Sequence, residues 1–428
     1  MSQPNRAVAP QVAEMCDLHL APSSVLTLDN GVSLTIINQG DQPITRLSIF
    51  YDGGENDFAP HSLPHVLGEA MRDGTKQLSG DKIEDIIDFN GALLSRHPSS
   101  HYSGFTLFCL NDRLHQVLDV LQQIILEPSL DAAAVERRKA KIATTMRVDL
   151  TKVSYVANQA IAPLLFGQSH PETHHDIPED VESITAEQIR DCYQQIVGSG
   201  HMQAFAAGQI DKRAETEIIN FLSRFPEASA PSPIHIEKYQ PQGSGRIYVE
   251  MPHAVQSAVV MCIPAIDRSH PDYVNLRLAV MGLGGYFGSR LMQNIREELG
   301  LTYGISSALC GSYEGGYIRI GAQCDAKYVE EVIKQNQYEM EKLIAEPIAE
   351  DELLRLRRYA WSNLATTADS PFTSADYYIT ERLVGTPPSY FADQLRCIRQ
   401  LHPQIIQQMA QRYFNTSDMS IATAGPTF

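Results

Sequence analysis

Apolar residues recur along this chain with two different periods. Near the N-terminus they alternate with polar residues, so Val25–Leu28, Val32–Asn38 and Leu47–Tyr51 read as strands. Asp29-Asn30-Gly31 between the first two is a hairpin turn signal. Over Pro64–Arg72 the spacing becomes helical, with proline at the tolerated first position and Gly74 just past the end. Thr185-x-x-Gln188 is a capping box that opens a helix to about Val197. Asp211 is placed to cap the next helix, which reaches Phe225. Strands and helices do not alternate strictly. The pattern predicts the α+β class, with a mixed, mainly antiparallel sheet covered by helices.

The same succession occurs twice. Residues 126–139 and 345–358 each contain a Glu-Pro pair, Glu127-Pro128 and Glu346-Pro347, separated by 219 residues. An amphipathic helix precedes each pair, Asp112–Leu126 and Ala326–Ile344. A basic helix follows, from about Asp131 and Glu350. A strand comes before each set, Ser103–Leu110 and Gly316–Cys324. The period is far too long for a solenoid, so it predicts two duplicated halves. The stretch 224–246 is rich in proline, glycine and serine and reads as the linker. The expected division is 1–231 and 232–428.

Bulk composition narrows the function classes. The protein has 428 residues, 43% of them hydrophobic and 20% charged, which suits packed domains rather than disorder. Its net charge of −17 repels phosphate backbones and anionic headgroups, so nucleic acid and membrane surfaces are not expected partners. No apolar run is long enough to span a bilayer. The first residues show no charged-then-apolar signal pattern. Seven scattered cysteines, without a C-x-x-C pair, read as reduced thiols. A cytoplasmic location is the resulting expectation.

The chemistry-bearing stretch of the first half is His61-Ser-Leu-Pro-His65-Val-Leu-Gly68-Glu69-Ala-Met-Arg-Asp-Gly74-Thr75. It resembles the inverted zinc motif H-x-x-E-H of the pitrilysin, insulinase and mitochondrial processing peptidase family. There the motif is followed by Gly-Thr, here Gly74-Thr75. The alignment places His65 on the first histidine, Gly68 on the glutamate and Glu69 on the second histidine. A catalytic zinc needs three protein ligands and an open position for water. A neighbouring carboxylate must accept that water's proton. Gly68 has no side chain to do so. The third ligand implied by the resemblance lies in the helix Val135–Val148, where the matched positions are Arg138 and Thr145. These degraded positions, His65, Gly68, Glu69 and Thr145, predict that this protein binds no metal and has no catalytic residues of its own. A rival reading takes His61, His65 and Glu69, spaced i, i+4 and i+8, as an unconventional metal site of an atypical metallopeptidase. Pro64 counts against it, because it starts the helix after His61. His97 and His101, flanking Pro98, read as surface residues.

The second half keeps more. Residues 284–303 contain Gly288-x-Arg290-Leu291, then Arg296-Glu297, then Gly300-Leu301-x-Tyr303. A helix from about Ser289 should end at Gly300 as its C′ glycine. The run strongly resembles the C-terminal motif of the same family. The resemblance implies that Arg296 and Tyr303 hold the substrate carbonyl and steady an oxyanion at a zinc site. An arginine fork and a tyrosine hydroxyl are donors suited to that role. The resemblance also implies a clamshell-like fold and a division of labour. This protein would be the non-catalytic, substrate-binding subunit of a heterodimeric zinc endopeptidase. Its homologous partner would carry the intact motif and the zinc. Peptides would be the substrates, adding as a strand near Ala92–Arg96. A stand-alone peptide-binding or assembly homodimer without turnover is the second expectation.

Overall fold

The computed structural model describes residues 15–227, 244–311 and 315–427. The boundary expected near residue 232 lies outside the described residues. The first sheet contains β1 (Ser23–Thr27), β2 (Ser33–Asn38), β3 (Ile44–Asp52), β4 (Leu93–Pro98), β5 (Tyr102–Leu110) and β6 (Met202–Gly208). Their order is β1-β2-β6-β3-β5-β4. The second sheet contains β7 (Arg246–Glu250), β8 (Ser257–Ala265), β9 (Thr302–Gly311), β10 (Gly316–Cys324) and β11 (Ser420–Gly425), in the order β7-β11-β8-β10-β9. The path β2-β6-β3-β5-β4 is therefore repeated by β7-β11-β8-β10-β9. In each path the first pair is parallel and the others antiparallel. The repeat seen in the residues is a repeat of topology.

Helices of the first half are α1 (Leu63–Met71), α2 (Gly80–Phe89), α3 (Leu114–Leu126), α4 (Ala132–Asp149), α5 (Val153–Phe166), α6 (Pro178–Ser183), α7 (Ala186–Ile196) and α8 (Lys212–Leu222). The second half has α9 (Tyr273–Gly284), α10 (Val329–Ala345), α11 (Glu350–Thr367), α12 (Pro371–Val384), α13 (Tyr390–Gln400) and α14 (Pro403–Tyr413). A π-helix (Met292–Glu298) lies between α9 and β9. The predicted local signals act as expected. β1 and β2 form the hairpin across Asp29-Asn30-Gly31. The Thr185 hydroxyl accepts from the Gln188 N–H while the Gln188 side chain accepts from the Thr185 N–H. Asp211 caps α8 through the Ala214 N–H at 2.7 Å.

Each sheet packs its outer face on helices of its own half, forming the two large cores. The inner faces are covered differently. Ala157, Ile161 and Leu165 of α5 pack on Ala258, Val260, Cys262, Ala422 and Ala424 of the second sheet. Reciprocally, Ala375 and Ile379 of α12 pack on Ile37, Phe50, Phe205 and Ala207 of the first sheet. The two halves thus exchange a helix. The small residues of the second sheet let α5 approach closely, and burying Ile161 or Leu165 contributes about 1.5–3 kcal/mol each. The buried Arg46 guanidinium of β3 ties this exchange together. It donates to the Phe372 carbonyl at 3.1 Å and pairs with Asp376, both on α12. The segment before β1 also crosses over. The Cys16 carbonyl accepts from Trp361 and Arg399, and the Ala21 N–H donates to Ser374.

Four of the seven cysteines are buried, and Cys16 is exposed. Among the described residues no helix is long and apolar enough to cross a membrane.

Candidate functional site

Helix α1 owes its starting point to Asp176. That carboxylate accepts from the backbone N–H of His61 at 3.2 Å and of Ser62 at 2.6 Å, and also from the Ser62 hydroxyl. A carboxylate at a helix N-terminus satisfies orphan donors and complements the dipole. Leu63 is the first helical residue, and Pro64 needs no N–H there. His61 therefore precedes the helix, and no continuous helical face carries His61, His65 and Glu69. All three, with Thr145, nevertheless line one cavity of about 370 Å³, together with His174 and His175. The structure brings His65, Glu69 and Thr145 together around this cavity, while Gly68 faces Arg96 outside it.

What fills the motif is an ion-pair network. Glu69 is held on both carboxylate oxygens. Arg96 of β4 pairs with one, and Arg138 of α4 donates to the other at 2.9 Å. Arg138 also holds Asp73 through Nε at 2.9–3.0 Å. The Glu69 and Arg96 side chains are 19% and 15% exposed, so solvent screens this pair weakly. The Arg96 side chain lies along the open side of Gly68. A Cβ at position 68 would meet its Nη1 at 3.2 Å and its Cδ at 3.4 Å. Burial and the adjacent Arg96 hold His65 below the ordinary histidine range. Thr145 donates its hydroxyl to the Lys141 carbonyl of its own helix at 3.1 Å.

The donors present do not fit a catalytic zinc. The base position is a glycine with an arginine laid against it. The second ligand position is a carboxylate whose oxygens are both committed. Two guanidinium charges stand beside it, equal to the formal charge of a divalent metal. A zinc ion would have to displace both before Glu69 could serve as a ligand. Among the described residues no group of three His, Cys, Asp or Glu side chains is arranged to hold a metal.

The second-half motif has another character. The π-helix closes with the Leu299 N–H on the Asn294 carbonyl at 2.9 Å, a wider i to i−5 turn. Gly300 follows at φ +62, the left-handed conformation expected of a C′ glycine. β9 then begins at Thr302 on the free edge of the second sheet, with Tyr303 90% exposed. The Arg296 guanidinium lies 4.6 Å from the Phe287 ring centre and 5.6 Å from that of Tyr303. It also donates to Glu297 at 2.7 Å. Arg296 and Tyr303 are therefore neighbours, as expected. Phe287 was missed; its only sequence signal is a large apolar residue inside Gly285-Tyr-Phe-Gly288. Arg290 of the same run is structural, gripping Glu352 with two N–H groups at 2.8 and 3.0 Å. His97 is not a free surface residue. It sits half-buried on β4, bonded to the Thr106 hydroxyl at 2.8 Å, because β4 pairs with β5.

Two family models match this sequence. "Insulinase (Peptidase family M16)" covers residues 62–162, and "Peptidase M16 inactive domain" covers 183–359. Together they span well over half of the sequence, including both motifs. The chain belongs to the peptidase M16 family. It is similar to a protein named "Uncharacterized zinc protease" of Streptomyces coelicolor, at 23% identity over 77% of this chain and 73% of the relative. It is also similar to the "Non-peptidase homolog YmxG" of Helicobacter pylori, at 19% identity over 89% of this chain and 88% of the relative. The fold matches the solved M16 inactive domain of Pseudomonas fluorescens with a TM-score of 0.85 and 21% identity, covering 95% and 98% of the two chains. At its first-half motif this is an M16 protein of the non-catalytic kind. In this M16 fold α5 stands between the two motifs. Tyr155 and Gln159 line the His65 cavity, while Ser154 and Asn158 line a cleft that contains Tyr303.

Proposed function

We propose that this M16 protein is the non-catalytic, substrate-binding subunit of a heterodimeric zinc endopeptidase. The observation that carries the reading is the contrast between its two motifs. Glu69 is locked by Arg96 and Arg138, whereas Arg296 of the π-helix lies beside Tyr303, which stands exposed on the open edge strand β9. The metal and the proton acceptor would then belong to a homologous subunit with an intact H-x-x-E-H. Arg296 and Tyr303 would supply hydrogen bonds to the substrate carbonyl. Such donors act most strongly when negative charge develops on that oxygen. The edge strand β4 is open to an added peptide strand, since β5 occupies only one of its sides.

The test mixes this protein with an M16 subunit that carries the intact motif and follows cleavage of an unfolded peptide. Joint activity is expected where neither subunit alone is active. Arg296→Ala should reduce the joint kcat about a hundredfold, the typical size of one lost oxyanion donor. An unchanged rate with Arg296→Ala removes the assigned role. Peptide binding without turnover in any mixture would instead support a stand-alone binding protein.

A further inference from the structure

The inner face of the second sheet is only partly covered. α5 lies over β8 and β11 and reaches Tyr317 at the start of β10, leaving the later inward positions of β10 and those of β9 lining a cleft. Strand alternation decides what stands there. Ile318 and Ile320 of β10 point into the outer core, so Arg319, Gly321 and Gln323 point inward. With Gly304 and Ser306 of β9 they floor a cleft of about 610 Å³, walled by Ser154 and Asn158 of α5.

Arg319 is the one charged side chain lining this cleft among the described residues. No carboxylate pairs with it there. Its guanidinium is held instead by a neutral group, the Asn158 amide oxygen, which accepts from Nη2 at 2.7 Å and from Nε at 3.2 Å. The group lies flat over Gly321, where a Cβ would meet Nη1 at 3.1 Å and Nη2 at 3.3 Å. Asn158 from the side and Gly321 from below thus fix the plane of the fork. The Asn158 contacts leave both Nη1 protons and one Nη2 proton for another acceptor. The protein carries a net charge of −17, yet this cleft presents an oriented cation with no acidic side chain in its lining.

We infer that Arg319 is an anchor for a carboxylate of a bound peptide, gripped in this cleft, whose lining also includes Gln323, Ser306 and Tyr303. The planar fork matches a carboxylate in two-point geometry, which a lysine would not reproduce. The carboxylate has two possible sources, the terminal carboxylate of the peptide or an Asp or Glu side chain within it. The inference rests on the reading that this protein binds peptides, but not on a catalytic partner.

The isolated protein therefore suffices for the test. Calorimetric titration compares one neutral octapeptide in three forms: free acid, C-terminal amide, and amide with a single internal glutamate. At least one charged form should bind about ten- to a hundredfold more tightly than the plain amide. The form that gains identifies the source. Arg319→Gln should abolish the difference while leaving binding of the plain amide, whose retention shows that the variant is folded. Arg319→Lys should keep only part of it, and added salt should weaken it. Equal binding of the three forms, or a preference that survives Arg319→Gln, overturns the anchor and leaves peptide binding standing. No binding of any form removes both.

Discussion

If the first-half motif is locked by charge, cutting the lock should cost stability in a way that shows coupling. The perturbation is a double-mutant cycle of Arg96→Ala and Glu69→Ala. Arg96 alone bridges the edge strand β4 to α1 at this carboxylate. Removing one partner of a well-buried pair costs about 3–5 kcal/mol. Here Glu69 keeps Arg138, and both side chains retain some solvent, so Arg96→Ala should cost about 2 kcal/mol. Glu69→Ala removes the acceptor from two guanidiniums and should cost about as much or more. The double variant should be less damaging than the sum, with a coupling of roughly 1–3 kcal/mol. Urea denaturation, read by circular dichroism and by the spread of amide exchange over α1 and β4, measures each corner. In a thermal scan 2 kcal/mol corresponds to a drop of roughly 4–8 °C for a unit of about 200 residues. Additive effects, or an Arg96→Ala variant as stable as the parent, would refute the lock. The same result would reopen Glu69 as a ligand, and zinc titration of Arg96→Ala would then be the direct check.

Two further outcomes follow from other parts of the fold. Ile161→Ala on the exchanged helix α5 should cost about 2–5 kcal/mol by leaving a cavity against β8 and β11, measured by the shift of the urea midpoint. Glu381 on α12 is pushed up to about 7, by burial above all, with Arg382 opposing. Its folded value lies above its unfolded one, so its contribution is fully present below pH of about 4.5 and lost as pH rises through about 7. Glu381→Gln should therefore raise the melting temperature at pH 8 and gain little at pH 5. An equal change at both pH values would count against a buried carboxyl.

Much of the frame was legible in the sequence because its signals are local. The β1–β2 hairpin is set by Asn30-Gly31, α7 by its capping box, and the end of the π-helix by Gly300. The duplication was legible from the Glu-Pro pairs, since each half must build the same strand and helices on either side of them. The lock was not. Gly68 and Glu69 showed that something was missing, but Arg96 lies on a different strand and carries no local mark of its partner. Arg138 falls on a matched ligand position in the sequence, yet its hold on Asp73 and Glu69 depends on how α4 packs on α1. The π-turn around Arg296 leaves no periodicity signature, because seven residues are too few to separate 3.6 from a wider turn. Helix α5 shows no clear amphipathic period in the sequence. Its run of Val, Ala, Ile and Leu with few charges was a signal that both of its flanks are occupied.

The helix exchange explains why a first-half motif ill-suited to zinc can still matter to the second half. In a fold of two independent halves, a broken motif could decay without consequence for the other half. Here α5 belongs by sequence to the half with the degraded motif and by packing to the half with the better-kept one. Its Ala157–Leu165 face completes the second sheet's inner core. Its Asn158 orients Arg319, and its Ser154 helps to wall the Tyr303 cleft. The opposite flank, through Tyr155 and Gln159, closes the cavity around His65. A first half that unravelled would take this wall with it. The ion pairs of Glu69 and Asp73 with Arg96 and Arg138 keep α1, β4 and α4 in register, and α4 leads directly into α5. Salt bridges at the matched ligand positions thus preserve the scaffold that walls the cleft of the exposed Tyr303, beside the half-buried Arg296.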